Sequence, residues 1–439
     1  MENYYLLDQT GAANYGSDVY LPVIAMMIMI GLGVPIWVVL GLGSIAMLVM
    51  TEVLPLSLLG ESLFDGIDAF ALIAIPLFIL TGDVLVRTGL SNKLLDVAEA
   101  TTGSARSGLG SSTVLACGFF ACISGSDAAG AAAVSRMTIH RLVDRGYPKA
   151  YACALVAAGS CTGILIPPSI AYIVIGLILG ISASTLFIAA AIPGVMILLS
   201  IMATNAVVNR ICGYENSRVG FSFKRWTAAI YDGRYALMIP FIILGGIYSG
   251  IFTPTEAAAV AVFVGVCIGI WQGTLTWRDF PKMLYSSAKV NGIILPIIAM
   301  SLPLAQTLAV LEIPQTFVGE MTALTDDPFY IILIMIGILI IAGCIMETTP
   351  NIVVLSPILL PLAQSIGMND IQFCIMMVSA LGVGFITPPL GLNLFVVSGV
   401  TNTPVMSVAK HAFPYVFTML AIVLMIAFIP ELSLWALTP

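Results

Sequence analysis

Gly163-Ile164-Leu165-Ile166-Pro167-Pro168 decides how this chain is read. Neither proline donates an amide, and each ring clashes with the carbonyl of the preceding turn, so a helix breaks there. The hexapeptide sits within apolar sequence of membrane type. Hydrocarbon cannot satisfy the freed carbonyls; they must meet protein, water or an ion. The pattern returns about half a chain later as Gly384-Phe385-Ile386-Thr387-Pro388-Pro389. Each copy follows a polar, helix-breaking cluster by a similar interval. The clusters are Ser124-Gly125-Ser126-Asp127 and Glu347-Thr348-Thr349-Pro350. Duplicated broken helices are a sequence-level pointer to the binding site of a secondary transporter.

Composition supports a membrane setting. Of 439 residues, 59% are hydrophobic and 9% charged, against about 25% charged in soluble domains. Stretches such as Tyr20–Val53 and Ile293–Leu311 approach or exceed the roughly 20 apolar residues of a helical span. No ten-residue alternation suggests an outer-membrane barrel. The net charge of −7 comes from few charges, mostly in loops, and no basic run suggests nucleic acid. The eight cysteines lack CxxC spacing. Seven of them (Cys117, Cys122, Cys153, Cys161, Cys267, Cys344, Cys374) read as small buried hydrophobes rather than disulfides or metal ligands. His140 and His411 lie far apart without companion ligands. No Walker loop, GxGxxG fingerprint or nucleophile–base arrangement is present, so neither ATP use nor an enzyme is expected. The N-terminus has no basic n-region, so a cleaved signal peptide is not expected.

Basic residues set the expected topology, because cytoplasmic loops carry an excess of Lys and Arg. They cluster at Arg87/Lys93/Arg106, at Arg136/Arg141/Arg145/Lys149, at Arg210/Arg218/Lys224/Arg225/Arg234 and at Arg278/Lys282/Lys289, with Lys410 alone. Threading apolar segments between them puts the N-terminus outside, two passes in 20–53 and a third at about 70–86. The stretch at about 108–135 begins and ends among basic residues, so it reads as a re-entrant hairpin turning at Ser124-Gly125-Ser126. A broken helix at about 150–179 and a pass at 183–209 follow. Residues 211–235 read as a cytoplasmic connector. Passes at 236–251, 255–275 and 290–311 come next. A second hairpin at about 328–368 has only acidic or neutral flanks; a broken helix at about 371–399 and a pass at 412–436 complete the chain. Residues 1–210 and 236–439 thus form two inverted-topology repeats, and the fold class is an all-α polytopic membrane protein.

The hairpin tips offer hydroxyls and free carbonyls, and each faces a Pro-Pro break carrying Thr162 and Ser169, or Thr387 and Asn393. Unwound backbone and hydroxyl oxygens of this kind suit a hard cation such as Na⁺. Asp127 and Glu347 are intramembrane acids, which are functional candidates by default. The alternative is a carboxylate held at a helix N-terminus by the dipole. In Gly250-Ile251-Phe252-Thr253-Pro254-Thr255-Glu256, Thr253 caps, Pro254 takes the first helical position and Glu256 closes a capping box. An interface role is the other reading of that run.

These residues resemble the large membrane (M) subunit of tripartite ATP-independent periplasmic (TRAP) transporters, within the ion-transporter superfamily. The resemblance rests on Ile75-Pro76-Leu77-Phe78, Ile123-Ser124-Gly125-Ser126, Arg145-Gly146-Tyr147-Pro148, Gly163–Ile170, Ile192-Pro193-Gly194, Gly250–Ala259, Glu347–Pro350 and Gly384–Pro389, in the family's order. Two tips depart from the usual pattern: Asp127 follows Ser126, and Glu347 stands where Asp is common. The resemblance implies an elevator-type mechanism coupled to Na⁺. It assigns one Na⁺ site to Ser124, Gly125, Ser126, Thr162, Gly163 and Pro167. A second takes Glu347, Thr348, Thr349, Gly384, Thr387 and Pro388. Solute is expected near Ser126, Asp127, Ser169, Thr349 and Asn393. The implied partners are a small four-helix membrane subunit, not fused at this N-terminus, and a soluble periplasmic substrate-binding protein.

The expected function is Na⁺-coupled, binding-protein-dependent import of an organic acid across the bacterial inner membrane. The cargo would be a carboxylate such as a C4-dicarboxylate, sialic acid or another sugar acid. Na⁺ is the only cofactor expected. The alternative is a stand-alone Na⁺/anion symporter or exchanger that needs no binding protein.

Overall fold

The computed structural model of the chain describes residues 16–103, 107–215, 222–435 and 437. The N-terminal stretch with Glu2 and Asp8, and the basic residues Arg106 and Arg218, lie outside them. Among the described residues all regular secondary structure is helical.

The first half opens with α1 (Ser17–Gly31), α2 (Ile36–Thr51) and α3 (Ser57–Ile67). A 3-10 turn at Phe70–Ile73 runs into α4 (Ala74–Arg87), and α5 (Leu90–Thr102) follows. α6 (Gly108–Ser124) and α7 (Asp127–Asp144) form a helix pair. α8 (Lys149–Ser160), the single turn α9 (Thr162–Leu165) and α10 (Ile170–Leu179) form the first broken helix, ahead of α11 (Ala183–Cys212). The second half has α12 (Phe223–Tyr248), α13 (Pro254–Trp271), α14 (Phe280–Val310) and α15 (Ile313–Leu324). The pair α16 (Pro328–Ile345) and α17 (Thr348–Ser365) follows, then the broken helix α18 (Asp370–Gly384) and α19 (Leu392–Thr401). α20 (Val405–Phe428) and the short α21 (Glu431–Leu434) close the chain. The order of apolar helices, amphipathic helix (α5 or α15), helix pair, broken helix and long helix therefore occurs twice.

Among the described residues seven helical runs are long and apolar enough to cross a membrane. They are Phe70–Arg87, α11, α12, α13, α14, α16 and α20. The α8–α9/α10 segment adds an eighth if its 41° bend lies within one span. α16, read from the sequence as one arm of a hairpin, is by itself long and apolar enough to cross a membrane.

Two boundaries differ from the sequence reading. α12 starts at Phe223, inside the stretch read as connector, and α14 starts at Phe280 rather than near 290. In both cases charged residues occupy helical turns beyond the apolar stretch: Lys224, Arg225 and Arg234 in α12, Lys282 and Lys289 in α14. Long cationic side chains reach water while their stems stay on the helix, so hydropathy under-reads such ends. α3, α5 and α15 fall in segments read as connections. They are amphipathic rather than apolar, so a search for continuous apolar runs passes over them.

The capping box at α13 forms as the sequence requires. The Glu256 backbone N–H donates to Thr253 Oγ1 at 3.3 Å, and the Thr253 N–H donates to Glu256 Oε2 at 2.8 Å.

The two halves interlock. α7, the second arm of the first pair, packs against α19 of the second half. Reciprocally, α17 packs against α10. α4 lies against α13 and α14, and α14 also packs on α2 and α3. The core helices behind the paired tips are packed on all sides: α8 buries Tyr151 through Ser160, and α18 buries Gln372 through Gly384.

Candidate functional site

The first tip forms because Gly125 takes φ +60°, a left-handed conformation that glycine tolerates. It ends α6, and Ser126 then caps α7, accepting from the Ala129 N–H at 3.4 Å. A side chain at Gly125 is also barred by space, since its Cβ would lie 2.8 Å from the Pro168 carbonyl oxygen. The second tip is Met346–Glu347, with Glu347 at the N-cap position of α17 and no side-chain cap bond. Asn351, fully buried, ties this tip together: its amide donates to the carbonyls of Ala342 at 3.2 Å and Met346 at 2.9 Å.

Both Pro-Pro breaks make hydrogen bonds to neighbouring protein groups. At the first, the Ser169 hydroxyl donates to the Ile164 carbonyl at 2.8 Å, and the Ile170 N–H donates to Gly125 at 3.3 Å. At the second, the Asn393 N–H donates to Phe385 and the Gly391 N–H to Cys344, both at 3.1 Å. Each break thus lends one N–H to the neighbouring helix pair. Both Pro-Pro peptide bonds are cis. Close approach reinforces the match. A Cβ at Gly163 would lie 2.8 Å from the Asp127 backbone, and one at Gly384 would lie 2.7 Å from Gly343 Cα.

The tips meet at one cavity of about 310 Å³. Its wall includes Ser124, Gly125, Ser126 and Asp127 from one pair and Glu347, Thr348 and Thr349 from the other. The cavity is also lined by α4 through Ile79, Gly82, Asp83 and Val86, and by α14 through Ser286, Val290 and Ile293. Of the residues singled out in the sequence, these seven share the cavity. Thr162, Gly163, Pro167 and Ser169 stand behind the first tip and off the wall, as do Gly384, Thr387 and Pro388 in the second copy. The Thr162 hydroxyl donates to Gly159 at 2.6 Å and that of Thr387 to Val383 at 2.7 Å. Asn393 is buried between the halves, its amide reaching the Ala157 carbonyl at 3.4 Å.

The wall carries three carboxylates (Asp83, Asp127, Glu347) and no Lys or Arg. Asp83 pairs with Arg87 at 3.1 Å. Asp127 opens α7 and Glu347 occupies the N-cap position of α17, so each lies at the positive end of a helix. Asp127 is 3% exposed, whereas Glu347 is open to the cavity. Three buried oxygens at the tips have no hydrogen-bond partner: Asp127 Oδ2, Thr348 Oγ1 and Asn351 Oδ1.

Asp83 and Asn351 were missed in the sequence. Both had a signal: Asp83 is an acid inside an apolar run, four residues before Arg87, and Asn351 is a lone amide four residues after Glu347.

The profile of the family described as "Tripartite ATP-independent periplasmic transporter, DctM component" matches residues 23–432. The chain is 37% identical over 377 residues to the C4-dicarboxylate TRAP transporter large permease protein DctM of Pseudomonas aeruginosa, covering 86% of this chain and 88% of that one. It is 36% identical over 404 residues to the isethionate TRAP transporter permease protein DctMQ of Oleidesulfovibrio alaskensis, covering 92% of this chain but 64% of that longer protein. The 2,3-diketo-L-gulonate TRAP transporter large permease protein YiaN of Escherichia coli is 31% identical, with 92% and 95% covered. The fold is similar to that of the Alcanivorax borkumensis YdaH transporter, at TM-score 0.60 and 13% identity over 97% of this chain and all of that one. This multi-pass membrane protein belongs to the DctM family of tripartite ATP-independent periplasmic transporter large permeases.

Proposed function

We infer that the chain is the solute-translocating subunit of a Na⁺-coupled transporter that imports an organic acid with the help of a binding protein. The observation that carries this reading is the convergence of two tips, with their carboxylates and orphaned oxygens, on one cavity. An intramembrane carboxylate costs about 2.5–3.5 kcal/mol on insertion scales. A helix N-terminus returns about 0.3–1 kcal/mol, up to about 2 when partly buried. The dipoles therefore leave part of the cost of Asp127 and Glu347 uncovered, and a cation beside them supplies the rest.

The donor set fits Na⁺. It consists of carboxylate, hydroxyl, amide and backbone oxygens, which suit a hard ion. Ser124, Gly125, Ser126 and Asp127 would hold one ion with the backbone behind them from Thr162 to Pro167. Glu347, Thr348, Thr349 and Asn351 would hold the other, with Gly384 to Pro388 behind. Bound Na⁺ supplies positive charge to a wall that has none of its own. The residues then orient the cargo: helix N-termini of α7 and α17 face the cavity and favour a carboxylate or sulfonate, as the names of the relatives suggest for this chain. Ser169 and Asn393 support the tips from behind instead of touching cargo. An elevator movement of the two helix pairs against α4 and α14 would carry the cavity across the membrane. The basic ends of α4 and α14 mark the cytoplasmic face of a bacterial inner membrane, with the N-terminus outside. The partners are a small membrane subunit and a periplasmic binding protein.

The test is uptake in liposomes containing the chain, its small subunit and its binding protein. Uptake should require an inward Na⁺ gradient, and Asp127→Asn and Glu347→Gln should each weaken that dependence. Equal uptake without Na⁺ would reject the coupling. Full uptake without the binding protein would favour a stand-alone symporter.

A further inference from the structure

A second pocket, of about 380 Å³, lies away from the tips where three elements end together. α7 contributes Ser135, Arg136 and His140; α8 contributes its first residue, Lys149; α19 contributes Thr401. The cluster lies on the face that its Lys and Arg content marks as cytoplasmic. Nothing in the transport mechanism uses it.

We propose that this pocket binds a phosphate group at the cytoplasmic rim of the protein. Four observations favour a phosphate. Arg136 has no carboxylate partner among the described residues, so its fork of N–H donors is free to take an anion. Lys149 gives one N–H to the Thr401 carbonyl at 2.7 Å and keeps two. α8 starts at Lys149 behind Pro148, with no side-chain cap, so its N-terminal amides add to the attraction for an anion. Finally, Ser135, 2% exposed, has a hydroxyl without a partner on the same wall. Among the described residues His140 of this pocket faces Asp144 at 3.8 Å, and both of those side chains are mostly in solvent.

The site has a structural consequence. α7 belongs to the first helix pair and α19 to the broken helix of the other half. A phosphate held by Arg136 and Lys149 would tie α7 to the start of α8, whose Lys149 already reaches α19 of the other half through its bond to the Thr401 carbonyl. The same chemistry is offered by the headgroup of an anionic inner-leaflet lipid and by free phosphate.

The experiment separates these sources. Purified protein is titrated with inorganic phosphate against chloride at equal ionic strength, reading the melting temperature. In parallel, native mass spectrometry records retention of phosphatidylglycerol against phosphatidylcholine. Binding of at least one phosphate probe is expected, and Arg136→Gln/Lys149→Gln should weaken it at least about tenfold, as loss of two charge-assisted contacts implies. Ser135→Ala should weaken it less, and Arg136→Lys should keep much of it, which a folding defect would not allow. Retention of the lipid alone identifies a headgroup; a response to free phosphate identifies a soluble ligand. Binding of neither probe by the native chain, or equal binding by the double variant, overturns the proposal.

Discussion

At the scale of single residues, the site is held by atoms that cannot be enlarged or removed. Gly163 is the clearest case, because a Cβ there would press on the Ser126–Asp127 backbone at 2.8 Å. Backbone cannot swing aside as a side chain can. Gly163→Ala should therefore destabilise the fold by about 1–3 kcal/mol, the usual range for overpacking. Gly399→Ala, where nothing lies within 4 Å, should be neutral or stabilising, since alanine favours a helix by about 1 kcal/mol over glycine. Thermal unfolding in detergent compares the two directly. Asn351 is held by the opposite logic. Its amide satisfies the Met346 carbonyl and gives Ala342 a second donor beside the Met346 N–H, so Asn351→Ala leaves the Met346 carbonyl unmet at a cost of about 1–3 kcal/mol. It also removes an oxygen from the proposed second ion site, so the apparent affinity for Na⁺ in uptake assays should fall along with the melting temperature.

At the scale of elements, the first helix pair is anchored at its open end as well as its tip. Glu215, 2% exposed, accepts from the Leu109 N–H at 3.2 Å and from the Tyr147 hydroxyl at 2.9 Å. Its own N–H donates to Asn209 of α11 at 2.8 Å. A carboxylate at the start of α6 is favoured by the helix dipole. Burial nonetheless dominates and pushes the Glu215 carboxyl above its ordinary range, while burial and the Glu215 charge push the Tyr147 hydroxyl up. Because the folded state holds the Glu215 proton more tightly than the unfolded chain, this group's contribution to stability is full at acid pH. It is lost as pH rises through the folded value. Relative to Glu215→Gln, the native protein should therefore lose melting temperature as pH rises from about 4, the ordinary glutamate value, toward neutrality. A constant difference across that range would show that Glu215 does not titrate there. Glu215→Ala should cost more than Glu215→Gln at every pH, because Leu109 and Tyr147 then lose their acceptor.

For the whole molecule, the informative boundary runs between the first tip and α4. A Cβ built on Gly82 would lie 3.2 Å from Ser124 Cβ, close to the roughly 3.5–4.5 Å of a disulfide. In a background freed of the eight native cysteines, Gly82→Cys with Ser124→Cys should form a cross-link on oxidation. Uptake into liposomes should then stop and return on reduction, because the tip could no longer move past α4. Undiminished uptake by the cross-linked protein would count against an elevator movement at this boundary.

Much of this was open to reading in one dimension, because the signals are local chemistry. The turn expected at Ser124-Gly125-Ser126 falls between the end of α6 at Ser124 and the start of α7 at Asp127. The Pro-Pro pairs interrupt both broken helices because proline has no amide to give, whatever surrounds it. The Thr253 box likewise needs only four consecutive residues. By contrast, α5 and α15 gave no apolar run to find, and the charged ends of α12 and α14 resembled loops.

What the chain could not state along its length was which surfaces meet. The exchange of α7 onto α19 and of α17 onto α10, the entry of Asp83 into the cavity wall, and the retreat of Ser169 and Asn393 behind it all depend on residues far apart in sequence. Breaks, caps and turns follow from near-neighbour stereochemistry and hydrogen bonding. Shared walls follow from packing between segments hundreds of residues apart, and only the tertiary structure settles that.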